Sequence, residues 1–270
     1  MNSASPFDDA VALQPQADGT FLGHTSAAYG TMVGPFGGVT AAQALNAVLQ
    51  HPQRLGDPVS LTVNFAAAVA DGPFTVIARP ARTNRSTQHW VIEIQQQGEA
   101  VLTGTAFFGL RRETWSADEH TMPKVPAPSD VKQGRHPPRV EWVKRYEMRF
   151  VEGAIPTEWD GKDQGISRTR LWLRDAPARP LDFASLTALS DVFFPRVWRR
   201  RPMLVPIGTV SMTVYFHADQ AQLQATGSGY LLGQSQAQVF RNGFFDQTAQ
   251  LWNEAGELLV TTHQVVYYKE

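Results

Sequence analysis

Several short runs of the chain alternate between apolar and polar residues. Examples are "HWVIEIQQQ" at residues 89–97, "FFDQTAQLWN" at 244–253 and "LLVTTHQVVYY" at 258–268. A period of two residues is typical of a strand that buries one face and exposes the other. "QGE" and "EAGE" lie between successive runs and supply residues that favour hairpin turns. We therefore predict antiparallel strands in both halves of the chain.

Two other segments have the spacing of an amphipathic helix. "GPFGGVTAAQALNAVLQ" begins at residue 34, has a glycine pair at residues 37 and 38, and then carries apolar residues on one helical face. "LDFASLTALSDVFF" at 181–194 has a similar apolar pattern. Asp182 and Ser185 are both suitable residues to cap the second helix. We predict one central helix in each half.

One predicted strand sequence occurs twice in almost identical form. "VSLTVNF" occupies residues 59–65 and "VSMTVYF" occupies residues 210–216, and each follows one of the predicted helices. Further downstream, "GEAVLTGTAFFG" at 98–109 parallels "GELLVTTHQVVYY" at 256–268. The same order of parts in both halves indicates a duplicated unit. We predict an N-terminal domain at 1–113, a proline-rich linker at 114–140 and a C-terminal domain at 141–270.

Composition and charge narrow the possible functions. The 270 residues include 24 basic and 25 acidic side chains, and the resulting net charge of −1 provides no general attraction for nucleic acid or anionic membranes. The absence of cysteine excludes disulfides, thiolate nucleophiles and cysteine-bound metals. No run is long and apolar enough for a membrane span, and the first residues do not have the pattern of a signal peptide. We expect a cytoplasmic protein that needs no metal or other cofactor.

Five stretches together resemble a known family. They are "GPFGGVTAAQAL", "SLTVNFAAAV", "LTALSDVFFP", "VSMTVYFHA" and "GELLVTTHQ", and their order is similar to that in the double-hotdog acyl-CoA thioesterases of the thioesterase II type. The resemblance implies an α+β tandem (double) hotdog fold, in which two antiparallel sheets each wrap a central helix and join into one continuous curved sheet. It also implies hydrolysis of a fatty or aromatic acyl-CoA, and a homodimer or larger homo-oligomer.

The same resemblance implies a catalytic acid, a hydroxyl residue and a glutamine in the second half. Gln264 falls at the glutamine position, and Ser235 is the available hydroxyl. The acid is expected at the head of the repeated strand, where this chain has Ser211. A serine hydroxyl has a pKa far above 7 and does not deprotonate water without a base beside it. Asp191 on the second helix and Asp246 on a neighbouring strand are two possible replacements; a third possibility is a protein that binds acyl-CoA without hydrolysing it.

Six further residues are predicted to contact the substrate. The glycine-rich start of the first helix offers backbone N–H groups to a phosphate or a thioester oxygen, and aromatic residues are candidates for the wall of an acyl tunnel. The predicted substrate-binding residues are Phe36, Gly37, Gly38, Phe193, Tyr215 and Gln236. Competing chemistries are less well supported: "GQSQA" lacks the last glycine of the serine-hydrolase elbow, and no aspartate and histidine pair suits an enoyl-CoA hydratase.

Overall fold

The computed structural model describes residues 5–134 and 140–270, and within them it forms one open antiparallel sheet of 13 strands. The strands are β1 (Gln14–Pro15), β2 (Phe21–His24), β3 (Asp57–Phe65), β4 (Pro73–Thr83), β5 (Thr87–Gln96), β6 (Glu99–Gly109), β7 (Tyr146–Glu152), β8 (Thr169–Asp175), β9 (Ile207–Phe216), β10 (Leu231–Gln236), β11 (Phe240–Arg241), β12 (Phe244–Asn253) and β13 (Leu258–Tyr268). The helices are α1 (Pro6–Val11), α2 (Gly37–Leu49), α3 (Phe183–Leu189), α4 (Arg196–Arg200) and α5 (Gln220–Thr226). Short 3₁₀ turns occur at Ala27–Tyr29, Pro128–Asp130 and Trp142–Arg145.

The two halves of the sheet meet at the repeated strand. The strand order is β1-β2-β4-β5-β6-β3-β9-β13-β12-β10-β8-β7, with β11 paired to β12 outside this path. Thr62 on β3 lies opposite Thr213 on β9, and each is the fourth residue of its copy of the repeat. A local twofold axis therefore passes between these threonines. The predicted fold class, two helix-wrapping sheets joined into one, is confirmed.

The two predicted helices pack against each other on the inner face of this sheet. A Cβ on Gly38 of α2 would lie 2.7 Å from the carbonyl oxygen of Ala188 in α3, so glycine allows the two backbones to approach closely. Asp182 caps α3 by accepting a hydrogen bond from the Ser185 backbone at 2.7 Å. The Ser185 hydroxyl instead donates to Asp175 at 2.6 Å. Of the two predicted capping residues, the structure therefore selects Asp182.

Burial alternates along β13 as its sequence predicts. Thr262, Gln264 and Val266 are buried on the inner face, while His263 and Val265 are exposed on the outer face. The hairpin that precedes this strand turns at Gly256, which has a φ of 87°, a value that glycine adopts without strain. The alternation fixes which side chains can reach the helices.

The chain between the two halves packs on the outer face of the C-terminal half. Trp172 donates its indole N–H to the carbonyl of Pro126 at 2.9 Å, and the ring of His120 stacks on Trp252 with centroids 5.5 Å apart. Two of the prolines predicted to stiffen this segment, Pro137 and Pro138, lie outside the described residues. In the described part of the chain, no helix is long and apolar enough to cross a membrane.

Candidate active site

The N-terminus of α2 meets the C-terminal end of α3. The first N–H groups of a helix have no partner within it, and in α2 the N–H groups that follow the glycine pair already donate to the carbonyl of Phe36. This leaves those of Gly37 and Gly38 without a bond inside the helix. Asp191 lies beside them, because a Cβ on Gly37 would be 3.1 Å from its Oδ2. The structure thus brings a carboxylate from the second half to the glycine pair of the first half.

Gln264 approaches the same carboxylate from the sheet. Its Nε2 donates to Asp191 Oδ1 at 2.7 Å and lies 3.5 Å from the sulfur of Met212 on β9. Gln264 is almost fully buried, at 2% exposure. The helix α3 ends at Leu189, so Asp191 lies just beyond the helix and not within it as the periodicity predicted. The two predicted residues nevertheless come into direct contact.

The surroundings of Asp191 alter its acidity. Burial raises its pKa to about 7, although the hydrogen bonds from Gln264 and from the backbone of Gly38 act in the opposite direction. A carboxylate with a pKa near neutrality is suited to accept a proton from water at physiological pH. The positive end of α2, a helix of 13 residues, would stabilise negative charge that develops nearby. The carboxyl group of Asp191, the side-chain amide of Gln264 and the N-terminus of α2 therefore lie next to one another.

Sequence reasoning missed a hydroxyl on the inner face, that of Thr209. A β-bulge between β9 and β13 places Ser211 opposite Val265 but Thr209 opposite Val266. Val266 is buried, whereas Val265 is 40% exposed, so the bulge directs Thr209 inward on the face that carries Gln264. Simple alternation gives no sign of a bulge. The neighbouring sequence "IGTVS" contains a glycine that is compatible with an irregular strand.

Two of the positions considered for the acid, Ser211 and Asp246, lie on the outer face of the sheet. Ser211 pairs with Val265 on the outer face and points away from Gln264. Asp246 also lies on the outer face, where its Oδ1 accepts the N–H groups of residues 238 and 239 at 2.9 Å each and its Oδ2 lies 3.3 Å from His263. Asp246 therefore stabilises a turn. Neither side chain can reach Gln264 on the inner face, because adjacent positions on a strand face opposite sides of the sheet.

The other predicted residues divide between the two faces of the sheet. Tyr215, 49% exposed, and Gln236, which pairs with Thr248, lie on the outer face and line no internal tunnel. Phe36 is buried and stacks on Trp142 with centroids 4.3 Å apart. Phe193 lies on the inner face, where a Cβ at position 233 would be 2.7 Å from its ring.

Ser235 faces inward but lies apart from the Asp191 and Gln264 pair. It pairs with Ala249, which in turn pairs with Thr262 on β13. Ser235 is therefore two strands across and one pleat along from Gln264. A separation of two strands is about 10 Å, which is too far for both side chains to hold one water molecule.

The local twofold axis identifies the counterpart of each inward residue. Gln264 pairs with Met212, and the matching residue Leu61 of the first repeat pairs with Ala106. Ala106 therefore occupies the position equivalent to Gln264. It has no hydrogen-bonding side chain and is 3% exposed. The duplicated fold thus carries the acid and amide pair on one side of its axis only.

A buried arginine holds the turn that follows Asp191. Arg196 is 0% exposed and donates to the carbonyl of Phe194, the carbonyl of Ser167 at 3.0 Å and the hydroxyl of Thr169 at 2.7 Å. Burial lowers its pKa to about 9. These bonds tie the segment that carries Asp191 to the edge of β8.

The chain is similar to several known proteins. Residues 26–109 match the family model described as the acyl-CoA thioesterase N-terminal domain, and residues 120–268 match that of the C-terminal domain. A conserved protein of unknown function with a hot dog fold, from Alicyclobacillus acidocaldarius, is 46% identical, with 99% of each chain covered and a TM-score of 0.93.

Two more distant structures share the fold. The acyl-CoA thioesterase II TesB2 from Mycobacterium marinum is 17% identical, with 97% of this chain and 98% of that chain covered and a TM-score of 0.76. A tesB protein from Mycobacterium avium subspecies paratuberculosis is also 17% identical, with coverages of 99% and 100% and a TM-score of 0.79. Among curated proteins, none matches this chain significantly.

Proposed function

The chain belongs to the acyl-CoA thioesterase family, and on that premise we propose that it hydrolyses a fatty or aromatic acyl-CoA to the free acid and CoA. The observation that carries the proposal is the hydrogen bond of 2.7 Å between Gln264 Nε2 and Asp191 Oδ1 at the N-terminus of α2. In this proposal Asp191 is the base and Gln264 positions the attacking water. The thioester carbonyl oxygen points to the N–H group of Gly37, because the N–H group of Gly38 donates to Asp191.

The reaction proceeds by addition and elimination. Ionised Asp191 takes a proton from water as the water oxygen attacks the thioester carbon, and the carbonyl oxygen becomes negatively charged. The helix N-terminus stabilises this charge, which is larger in the transition state than in the bound thioester. The intermediate then collapses, the carbon–sulfur bond breaks, and the proton on Asp191 passes to the departing sulfur. The products are a carboxylic acid and the thiol of CoA.

The pKa of about 7 for Asp191 suits it both to accept a proton from water and to donate that proton to the departing sulfur. A base with a much lower pKa would be ionised but weakly basic, and one with a much higher pKa would be protonated at neutral pH. Ser211 gave reason to consider a protein that binds acyl-CoA without hydrolysis. Asp191 supplies a carboxylate at the site without any change at position 211, so hydrolysis is the better supported of the two functions.

The test is release of free thiol from a series of acyl-CoAs of different chain lengths and from benzoyl-CoA. Asp191→Asn and Gln264→Leu are expected to lower kcat by roughly 10²–10³-fold or more. Asp246→Asn and Ser211→Ala are matched controls on the outer face and are expected to retain activity. Tight binding of every acyl-CoA with no thiol release by the unaltered protein would instead support the binding function. Assembly as a homodimer and a cytoplasmic location stay predictions.

A further inference from the structure

A cavity lies where the C-terminal end of α2 meets the start of α3. It has a volume of about 380 Å³, which is within the range of small-molecule sites in proteins. Its walls come from α1, the end of α2 and the segment after it, the start of α3 and the start of α5. The proposed active site lies at the other end of the same pair of helices, where α2 begins and α3 ends.

The local twofold axis relates this cavity to the proposed active site. The two helix sequences can be matched at the proline that precedes each of them, and Gly37 then corresponds to Asp182. By the same match, Asn46 corresponds to Asp191. Gly37 and Asp191 adjoin in the proposed active site, and their counterparts Asp182 and Asn46 both line the cavity.

The last residue of each repeated strand supports this relation. Phe65 approaches the start of α2, since a Cβ on Gly37 would lie 3.4 Å from its ring. Phe216, the last residue of the second copy, packs edge-on against Phe183 at the start of α3, with ring centroids 5.6 Å apart. The two ends of the helix pair are therefore equivalent positions of the duplicated fold.

The cavity lacks the groups proposed for hydrolysis. Asn46 stands at the position of the acid, and a carboxamide does not take a proton from water near neutral pH. Its Nδ2 instead donates to the carbonyl of Val11 at 2.7 Å. Ala106 occupies the position of Gln264. A thioester bound in this cavity would therefore stay intact.

The charges around the cavity balance. The two aspartates that line it, Asp8 and Asp182, both bind Arg179, at 2.8 and 2.6 Å. Arg54 also lines the cavity; it is exposed and forms no ion pair with the described residues. A guanidinium group binds phosphate with two parallel hydrogen bonds. Arg54 is therefore available to a phosphate group of a ligand.

The walls combine apolar surface with carboxamides. Leu49 and Phe183 supply the apolar part, and the carboxamides are those of Asn46, Gln50 and Gln220. A carboxamide both donates and accepts hydrogen bonds, so it pairs well with an amide of a ligand. The pantetheine arm of CoA has a matching composition, with two amides, a pair of methyl groups and a phosphate at one end.

We propose that this cavity is a second site, which binds the pantetheine arm of CoA and does not hydrolyse its thioesters. The carboxamides pair with the two amides of the arm, its methyl groups lie on Leu49 and Phe183, and its phosphate binds Arg54. This inference rests on the proposed function, which supplies the class of ligand. It gives each chain two CoA sites, of which one is catalytic.

The test counts the binding sites by isothermal titration calorimetry with S-octyl-CoA, in which a thioether replaces the thioester. Two sites per chain are expected. In Ala12→Trp the added ring fills part of the cavity, so one site should remain, with an unchanged kcat for octanoyl-CoA. Ala127→Trp is the matched control, because it adds the same ring at an exposed position that does not line the cavity. This control should retain both sites.

Arg54→Glu tests the same cavity without added bulk. The side chain of Arg54 is exposed, so this variant should fold like the unaltered protein. The dissociation constant of one of the two sites should rise about tenfold or more, because a phosphate loses a charged donor and meets a carboxylate. The kcat for octanoyl-CoA should stay the same.

The outcomes separate this inference from the proposed function. A single site per chain that neither Ala12→Trp nor Arg54→Glu alters would overturn the inference, whereas thiol release would leave the proposed function intact. Absence of thiol release from every acyl-CoA would refute the proposed function, but two sites, one of them lost in Ala12→Trp, would still support the inference. A kcat that falls in Arg54→Glu as far as in Asp191→Asn would overturn the inference, because the cavity would then take part in the reaction.

Discussion

Asp191 Oδ2 lies 3.1 Å from the point where a side chain on Gly37 would begin. The absence of a side chain at Gly37 is therefore what allows the carboxylate of the second half to reach the N-terminus of the helix of the first half. Gly38 has a different purpose, because a Cβ there would lie 2.7 Å from the carbonyl oxygen of Ala188. One glycine makes space for the acid and the other makes space for the facing helix.

Substitution of the two glycines should separate activity from stability. Gly37→Ala is expected to displace the carboxylate and lower kcat, with little change in Tm. Gly38→Ala is expected to reduce the free energy of unfolding by about 1–3 kcal/mol, because the helices must move apart. Gly208→Ala is the control, since nothing lies within 4 Å of its Cβ position. Equal losses of Tm in all three variants would contradict this division.

The pH dependence of hydrolysis should follow Asp191. Because burial raises its pKa to about 7 and the base must be ionised, kcat/KM is expected to fall about tenfold per pH unit below that value. The measurement is a profile of kcat/KM between pH 5 and pH 9. Ser211→Asp adds a carboxylate on the outer face and should leave the profile unchanged. A profile with no acidic limb near pH 7 would argue against Asp191 as the base.

The free energy of unfolding should decrease with rising pH, whereas kcat/KM should increase. The folded state raises the pKa of Asp191 from 3.8 to about 7, so it holds a proton that the unfolded chain has already lost between these values. The free energy of unfolding therefore decreases as pH rises through this window. Asp191→Asn mimics the neutral acid and should be more stable than the unaltered protein at pH 8, by roughly 1–2 kcal/mol for a partly hydrated carboxylate.

Urea unfolding of both proteins at pH 5 and pH 8 measures this difference. The gain in Asp191→Asn should be smaller at pH 5, where most of the native carboxyl groups are protonated. A gain of equal size at both pH values would contradict a raised pKa.

Removal of the buried arginine should affect both stability and activity. Arg196→Ala leaves the carbonyl of Ser167 and the hydroxyl of Thr169 without their donor, and a loss of about 3 kcal/mol in the free energy of unfolding is expected. The turn that carries Asp191 also loses its anchor, so kcat should fall more than KM rises. Arg201→Ala removes a surface ion pair with Glu270 and should change stability by less than about 1 kcal/mol.

Local patterns predicted most of the fold. The duplicated strand, the alternating runs and the two apolar helical faces depend on neighbouring residues, so the sequence alone indicates them. Gln264 was predicted as a site residue from the resemblance to a family motif and from its place in an alternating strand. The positions of Ser211 and Tyr215 were misread, since alternation gives two faces but does not say which one is buried.

The sequence by itself determined a duplicated α+β unit with alternating strands and one helix in each half, because a period of 2 or 3.6 residues is set by the backbone over a few positions. The joined sheet and the position of the glutamine were implied by the resemblance to a family. Only the tertiary structure decided that Asp191, not Ser211 or Asp246, meets Gln264. That contact joins residues 73 positions apart, and it depends on where α3 ends and on how closely Gly37 and Gly38 allow two helices to approach. Neither the end of a short helix nor the distance between packed helices is encoded in a local period, because both are set by contacts between the halves.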